Sequence, residues 1–151
     1  MHDLLRLRLA DAVTGPPPPL TRRDVYVPSV PGKVLAVIGV RRSGKTTFLW
    51  QCLADRLAAG RPRETLLLMS FEDDRLAGME VRDLDWLVEE YYRQYPAVRH
   101  AQRATFFLDE IQLVPGWERF VRRLADSENV ELFISGSSAR LLSREIATSM
   151  R

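Results

Sequence analysis

Two short stretches of the chain carry residue types that could do chemistry. The first is Gly39-Val40-Arg41-Arg42-Ser43-Gly44-Lys45-Thr46, followed by Thr47, which fits the pattern G-x-x-x-x-G-K-[ST]. Glycine at 39 and 44 lets the backbone take positive φ or approach an anion closely, where a Cβ would intrude. The successive N–H groups can then converge on a phosphate, with the positive end of a following helix aimed at the same point. Lys45 would reach the β- and γ-phosphates as a compact charge, and Thr46 would place a hydroxyl on Mg²⁺. The lysine is informative in itself. Of 22 basic residues only Lys33 and Lys45 are lysine. Arginine is this chain's generic cation, so position 45 asks for something a planar guanidinium does not supply.

The second stretch is Phe106-Phe107-Leu108-Asp109-Glu110, an apolar run that delivers two adjacent carboxylates. This is the form of a Walker B segment. Asp109 would join the Mg²⁺ shell beside Thr46, and Glu110 would orient and activate an attacking water. Further along, Ser135-Gly136-Ser137-Ser138 offers short hydroxyls, of which Ser135 or Ser137 could sense a γ-phosphate. Glu72-Asp73-Asp74 closes another apolar run, in a setting where acids are commonly just solvated. Arg140, Arg144 and Arg151 could each supply a cation to the γ-phosphate, and His2 and His100 have no partner pattern.

These residues need elements to hold them. Val34 to Ile38 reads as a buried strand running into the glycine loop. Phe48, Leu49, Cys52, Leu53 and Leu57 recur at helical spacing behind it, until Gly60 and Pro62 stop the helix. Thr65 to Phe71 predicts a second strand, and Leu84, Leu87, Val88, Tyr91 and Tyr92 an amphipathic helix closed by Pro96. Thr105 to Leu108 predicts a third strand, Trp117, Phe120, Val121 and Leu124 a helix with Arg119, Arg122 and Arg123 on or beside its wet side, and Val130 to Ile134 a fourth strand. A helical pattern follows from Ala139. Apolar strands alternating with helices specify an α/β fold with a parallel sheet covered on both faces. Ligands on such sheets bind beyond the carboxyl ends of the strands, which gathers residues 39–47, 72–74, 109–110 and 135–138 on one edge. Upstream, residues 2 to 13 predict a short helix ended by Gly15 and Pro16 to Pro19. That division makes residues 1–19 an appendage with a stiff linker and residues 20–151 the main domain, with a short strand at Arg22 to Val27.

Composition sets the broad class. With 22 basic and 20 acidic residues the formal net charge is +2, which neither implies nor excludes a nucleic-acid partner. The lone Cys52 cannot form a disulfide within the chain and suits a reducing cytoplasm. The opening apolar run is broken by charges, unlike a signal peptide, and no apolar stretch approaches the ~20 residues of a membrane helix. The expectation is a soluble cytoplasmic protein.

Four segments together, GVRRSGKTT (39–47), FEDDRL (71–76), FLDEIQLVPGWERFVRRL (107–124) and ISGSSARLLSREIATSMR (134–151), resemble the amino-terminal ATPase domain of a widespread bacterial and archaeal family of AAA-like proteins. Members usually carry a carboxyl-terminal domain of unknown function. The resemblance implies a three-layer P-loop ATPase of the class with an additional strand, sheet order 2-3-4-1, with ATP and Mg²⁺ as ligands. In such domains a fifth strand follows the last helix and lies beside the first. The sequence up to Arg151 does not include that strand, so the expectation is either a fragment truncated at its C-terminal end or an edge of the first strand covered by residues 22–27 or another subunit. A homo-oligomer through that edge or through the nucleotide site is a corresponding expectation.

The leading expectation is Mg²⁺-dependent ATP binding and hydrolysis. The alternative is an ATP-dependent switch or scaffold with negligible hydrolysis. A GTPase would need an N-K-x-D segment, which the sequence lacks. A small-molecule kinase shares the loop, but an Asp-Glu tip suits water attack better. A nucleic-acid motor would use the arginines of residues 119–123, which a solvated helix face also explains.

Overall fold

The computed structural model describes residues 1–20, 34–38 and 44–136. Strands β1 (Val34–Ile38), β2 (Leu66–Ser70), β3 (Ala104–Asp109) and β4 (Val130–Gly136) form one sheet in the order β1-β4-β3-β2. Counted from the other edge this is 2-3-4-1. Every neighbouring pair is parallel, with Ile38 opposite Gly136, Ser70 opposite Asp109 and Leu108 opposite Ile134. Because all four strands run the same way, their carboxyl ends emerge together. The candidate segments thus reach one edge despite their separation along the chain.

The helices are α1 (His2–Thr14), α2 (Lys45–Ala58), α3 (Val81–Gln94), α4 (Pro96–Ala101) and α5 (Trp117–Ser127). Side chains alternate between the two faces of the sheet, as a period of two requires. Phe107, Phe133, Leu66 and Leu68 meet Phe48, Leu49, Cys52 and Leu53 of α2 on one face. Phe106, Leu108, Leu132, Ile134, Leu67 and Met69 face the larger cluster on the other side, which α1, α3 and α5 supply. The result is a three-layer α/β/α arrangement.

Two differences from the sequence reading have clear causes. Pro96 ends α3 but also opens α4, because proline at a first helical position gives up an N–H that would have no partner there anyway. Helix α1 does not behave as an appendage. Leu5, Leu9, Ala12 and Val13 are buried in the same cluster as β2 and α3. Arg63 further ties it down, donating from Nη2 to the carbonyl oxygens of Ala12 at 3.2 Å and Gly15 at 2.9 Å. A cation thus caps a helix end that has no basic residue in its own last turn. The predicted strand at 22–27 and the helix from Ala139 lie outside the described residues.

On the α2 face, a buried charge pair joins helix to sheet. Arg56 donates to Glu131 from Nε at 2.6 Å and from Nη2 at 2.8 Å, and Thr105 adds a hydroxyl donor at 3.0 Å. The bidentate fork fixes the far end of α2 on β4, so the near end, where Lys45 and Thr46 sit, is held at the strand tips.

Candidate functional site

Of the glycine loop, Gly39, Val40, Arg41, Arg42 and Ser43 lie outside the described residues, and Gly44 to Thr47 are described. Gly44 caps α2 with φ of 89°, a left-handed conformation that glycine adopts without steric penalty. Helix α2 then begins at Lys45, whose side chain is 6% exposed, with Thr46 and Thr47 on its solvent side.

The acids meet this helix start directly. Thr46 Oγ1 donates to Asp109 Oδ2 at 2.8 Å, across 63 residues of sequence. Lys45 Nζ lies 3.4 Å from Glu110 Oε1. Asp109, at the end of β3, is only 2% exposed. Its other carboxylate oxygen accepts a hydrogen bond from Ser135 Oγ. The same serine oxygen accepts from the Glu110 N–H at 3.0 Å. Ser135 is fully buried and its single proton is committed to Asp109. The sequence reading gives Ser135 a hydroxyl for sensing phosphate. In the structure that hydroxyl instead links β4 to the acid pair, and the other candidate, Ser137, lies outside the described residues.

Glu110 carries the one positive φ among the described non-glycine residues, 57° with ψ of 42°. Left-handed backbone costs an L-residue about 1 kcal/mol or more. The conformation turns the chain sharply from β3 into the single 3-10 turn Ile111–Leu113. Strain of this kind gathers where geometry is held for function. The turn brings back Gln112, whose Nε2 donates to Glu110 Oε2 at 2.5 Å. Sequence reasoning missed Gln112. The available signal was an amide two residues beyond the second acid, too short a pattern to stand out.

Glu72, Asp73 and Asp74 reach the same sheet edge, and among the described residues neither Asp73 nor Asp74 makes a hydrogen bond or ion pair with Lys45, Thr46, Asp109 or Glu110. Asp73 caps a 3-10 turn, accepting the Arg75 N–H at 2.9 Å and the Arg75 guanidinium at 2.8 Å. Those bonds hold its carboxyl well down, at about 2. With Arg8, Leu76, Met79 and Leu113 the acids line a groove of about 800 Å³ beside the site. Among the described residues no group of three or more His, Cys, Asp or Glu side chains could hold a metal ion. The oxygen donors at hand are the Thr46 hydroxyl and the Asp109 carboxylate. Of the α5 arginines, Arg119 is exposed and Arg123 is paired with Asp85 on α3. Arg140, Arg144 and Arg151 lie outside the described residues.

A hydroxyl and two strand-end carboxylates around one lysine at a helix start are the parts found in P-loop nucleotide sites. A family model described as an AAA domain matches residues 31–151. The chain belongs to this AAA domain family. Membership points to a nucleotide-binding, ATPase-like role, in keeping with the resemblance seen in the sequence. The AAA domain is similar to an uncharacterized protein of Methanocaldococcus jannaschii, 39% identical over 129 residues that cover 85% of this chain and 26% of the relative. It is similar also to an uncharacterized protein of Haemophilus influenzae, 34% identical over 116 residues covering 76% of this chain and 28% of that one. The chain therefore spans about a quarter of the length of these curated relatives. No solved structure matches it. No helix among the described residues of the AAA domain is long and apolar enough to cross a membrane.

Proposed function

We propose that this AAA domain binds ATP with Mg²⁺ and hydrolyses it. The observation that carries the reading is the hydrogen bond from Thr46 to Asp109, together with Lys45 on Glu110 beside it. Residues from the loop helix and from the strand end 63 positions away converge on one point at the sheet's carboxyl edge. Residues 39–47 would wrap the phosphates, with Lys45 on the β- and γ-groups.

Thr46 and Asp109 fit Mg²⁺. Both offer hard oxygen, and this ion takes one or two protein oxygens and leaves its remaining positions to water and phosphate. Bound there, it would neutralise charge on the phosphates. Asp109 stays oriented because Ser135 holds its other oxygen. Glu110 would accept a proton from water as the water oxygen bonds to the γ-phosphorus. The bond from that phosphorus to the bridging oxygen breaks, its electrons leave with ADP, and the proton ends on Glu110 before passing to solvent or phosphate. The ammonium of Lys45 now on Glu110 must shift toward the incoming phosphate, which couples binding to release of the base.

A second reading is a nucleotide-dependent switch with negligible turnover. Leu35 and Ile38, on opposite faces of β1 at the end of the four described strands, are 37% and 39% exposed, apolar surface that assembly through this edge would cover. ATP turnover measured beside light scattering separates the two: assembly without phosphate release favours the switch. Titration of ATP, ADP and GTP with and without Mg²⁺ tests the core reading. Lys45→Ala should abolish ATP binding, and unchanged affinity would refute the phosphate-loop assignment.

A further inference from the structure

Resting on the hydrolytic reading above, the geometry points to Gln112 as a positioning residue: it holds one oxygen of Glu110 while the other takes the proton of the attacking water. Three observations carry this. The Glu110 carboxylate is divided between two partners, Oε1 facing Lys45 Nζ at 3.4 Å and Oε2 accepting from Gln112 Nε2 at 2.5 Å. A triphosphate draws the lysine away and leaves Oε1 without it, so Gln112 is then the tether that keeps the carboxylate from swinging out. The amide orientation is determined by the same contact. Reversed, it would put a carbonyl oxygen against a carboxylate oxygen at that distance, two acceptors with no proton between them.

The second observation is that Gln112 Oε1 is buried and meets no hydrogen-bond partner among the described residues. A buried carbonyl stripped of water and unpaired destabilises the fold. An apolar side chain of similar length would avoid that penalty, so stability alone does not favour glutamine here. The amide's donor end is what the position uses. Third, the left-handed backbone at Glu110 delivers Gln112 to this contact.

The test compares single-turnover ATP hydrolysis, ATP affinity and thermal melting for the wild-type chain, Gln112→Met and Gln112→Glu. Gln112→Met removes the donor and the orphaned carbonyl together. It should slow hydrolysis about tenfold or more, leave ATP affinity within twofold and not lower the melting temperature. Gln112→Glu keeps the shape, replaces the donor by an acceptor and should lose at least as much rate. A residue that acts only through Glu110 has nothing left to position once that base is gone. The Glu110→Gln, Gln112→Met double variant should therefore keep the residual rate of Glu110→Gln alone. Hydrolysis within twofold of wild type in both single variants, or a further loss in the double variant, overturns the assignment while leaving the hydrolytic reading intact. A wild-type chain that binds ATP without hydrolysing it overturns both.

Discussion

Replacing Glu110 by glutamine should tighten ATP binding while stopping turnover. The reason lies in the contact between Lys45 Nζ and Glu110 Oε1. At 3.4 Å, opposite unit charges in an effective dielectric of about 20 attract by roughly 5 kcal/mol. Most of that is offset by desolvation and by the ordering of two long side chains. For a pair only 6% and 14% exposed, desolvation nearly cancels the attraction and leaves a net on the order of 1 kcal/mol. An incoming phosphate must displace this interaction, and a neutral amide at position 110 spares it the cost. It also removes a negative charge close to the phosphates. A gain of about 1 to 1.4 kcal/mol corresponds to roughly fivefold to tenfold in dissociation constant. Calorimetric titration of ATP and Mg²⁺ into both proteins reads the affinity, and phosphate release reads the rate. Unchanged or weaker binding by Glu110→Gln would refute the competition for Lys45. Undiminished phosphate release would remove Glu110 from the chemistry.

Other expected outcomes concern the frame around the site. Glu110→Gly and Glu110→Ala lose the same carboxylate but differ in backbone strain at φ of 57°; the glycine variant should be more stable by about 1 kcal/mol in urea unfolding, and equal stability would contradict the left-handed conformation. Arg56→Met leaves Glu131, 4% exposed, without its bidentate partner and should cost about 3 to 5 kcal/mol. Adding Glu131→Leu should recover most of that loss, and a double variant no better than the single one would sink the account of the pair. Glu90 is held at about 2, below its ordinary value of 4.5, first by hydrogen bonds from Arg93 and then, against its burial, by Gln94 and Arg6. A carboxylate depressed on folding stabilises the fold above its unfolded value and loses that contribution as pH falls through the folded one. The stability gap between wild type and Glu90→Gln should therefore be full above pH 4.5 and close toward pH 2; a gap that persists to the acid end would show that the ion pairs are not its source.

Much of this protein is legible in its sequence because strands and helices announce themselves by local period. VLAVI, LLLMS and ATFFLD are short apolar runs, and the spacing of Phe48, Leu49, Cys52 and Leu53 can bury one helical face only. The chemistry of Lys45, Thr46, Asp109 and Glu110 is likewise carried by residue type and short-range spacing, and a parallel sheet needs no further information to bring strand ends to one edge. What only the tertiary structure decided is which groups meet there. The Ser135 hydroxyl could face phosphate or protein. The register of β4 on β3 turns it to Asp109 and the Glu110 N–H. Helix α1 looked detachable because its polyproline tail is a local feature, while the apolar groove of β2 and α3 that receives Leu5 and Leu9 is assembled from distant segments. Gln112 acquires its partner through a left-handed turn at a glutamate, a backbone state that residue type argues against and that surrounding packing must impose. Period and composition are properties of neighbours along the chain. Hydrogen-bond partnership is a property of neighbours in space, and it comes into being when the layers close.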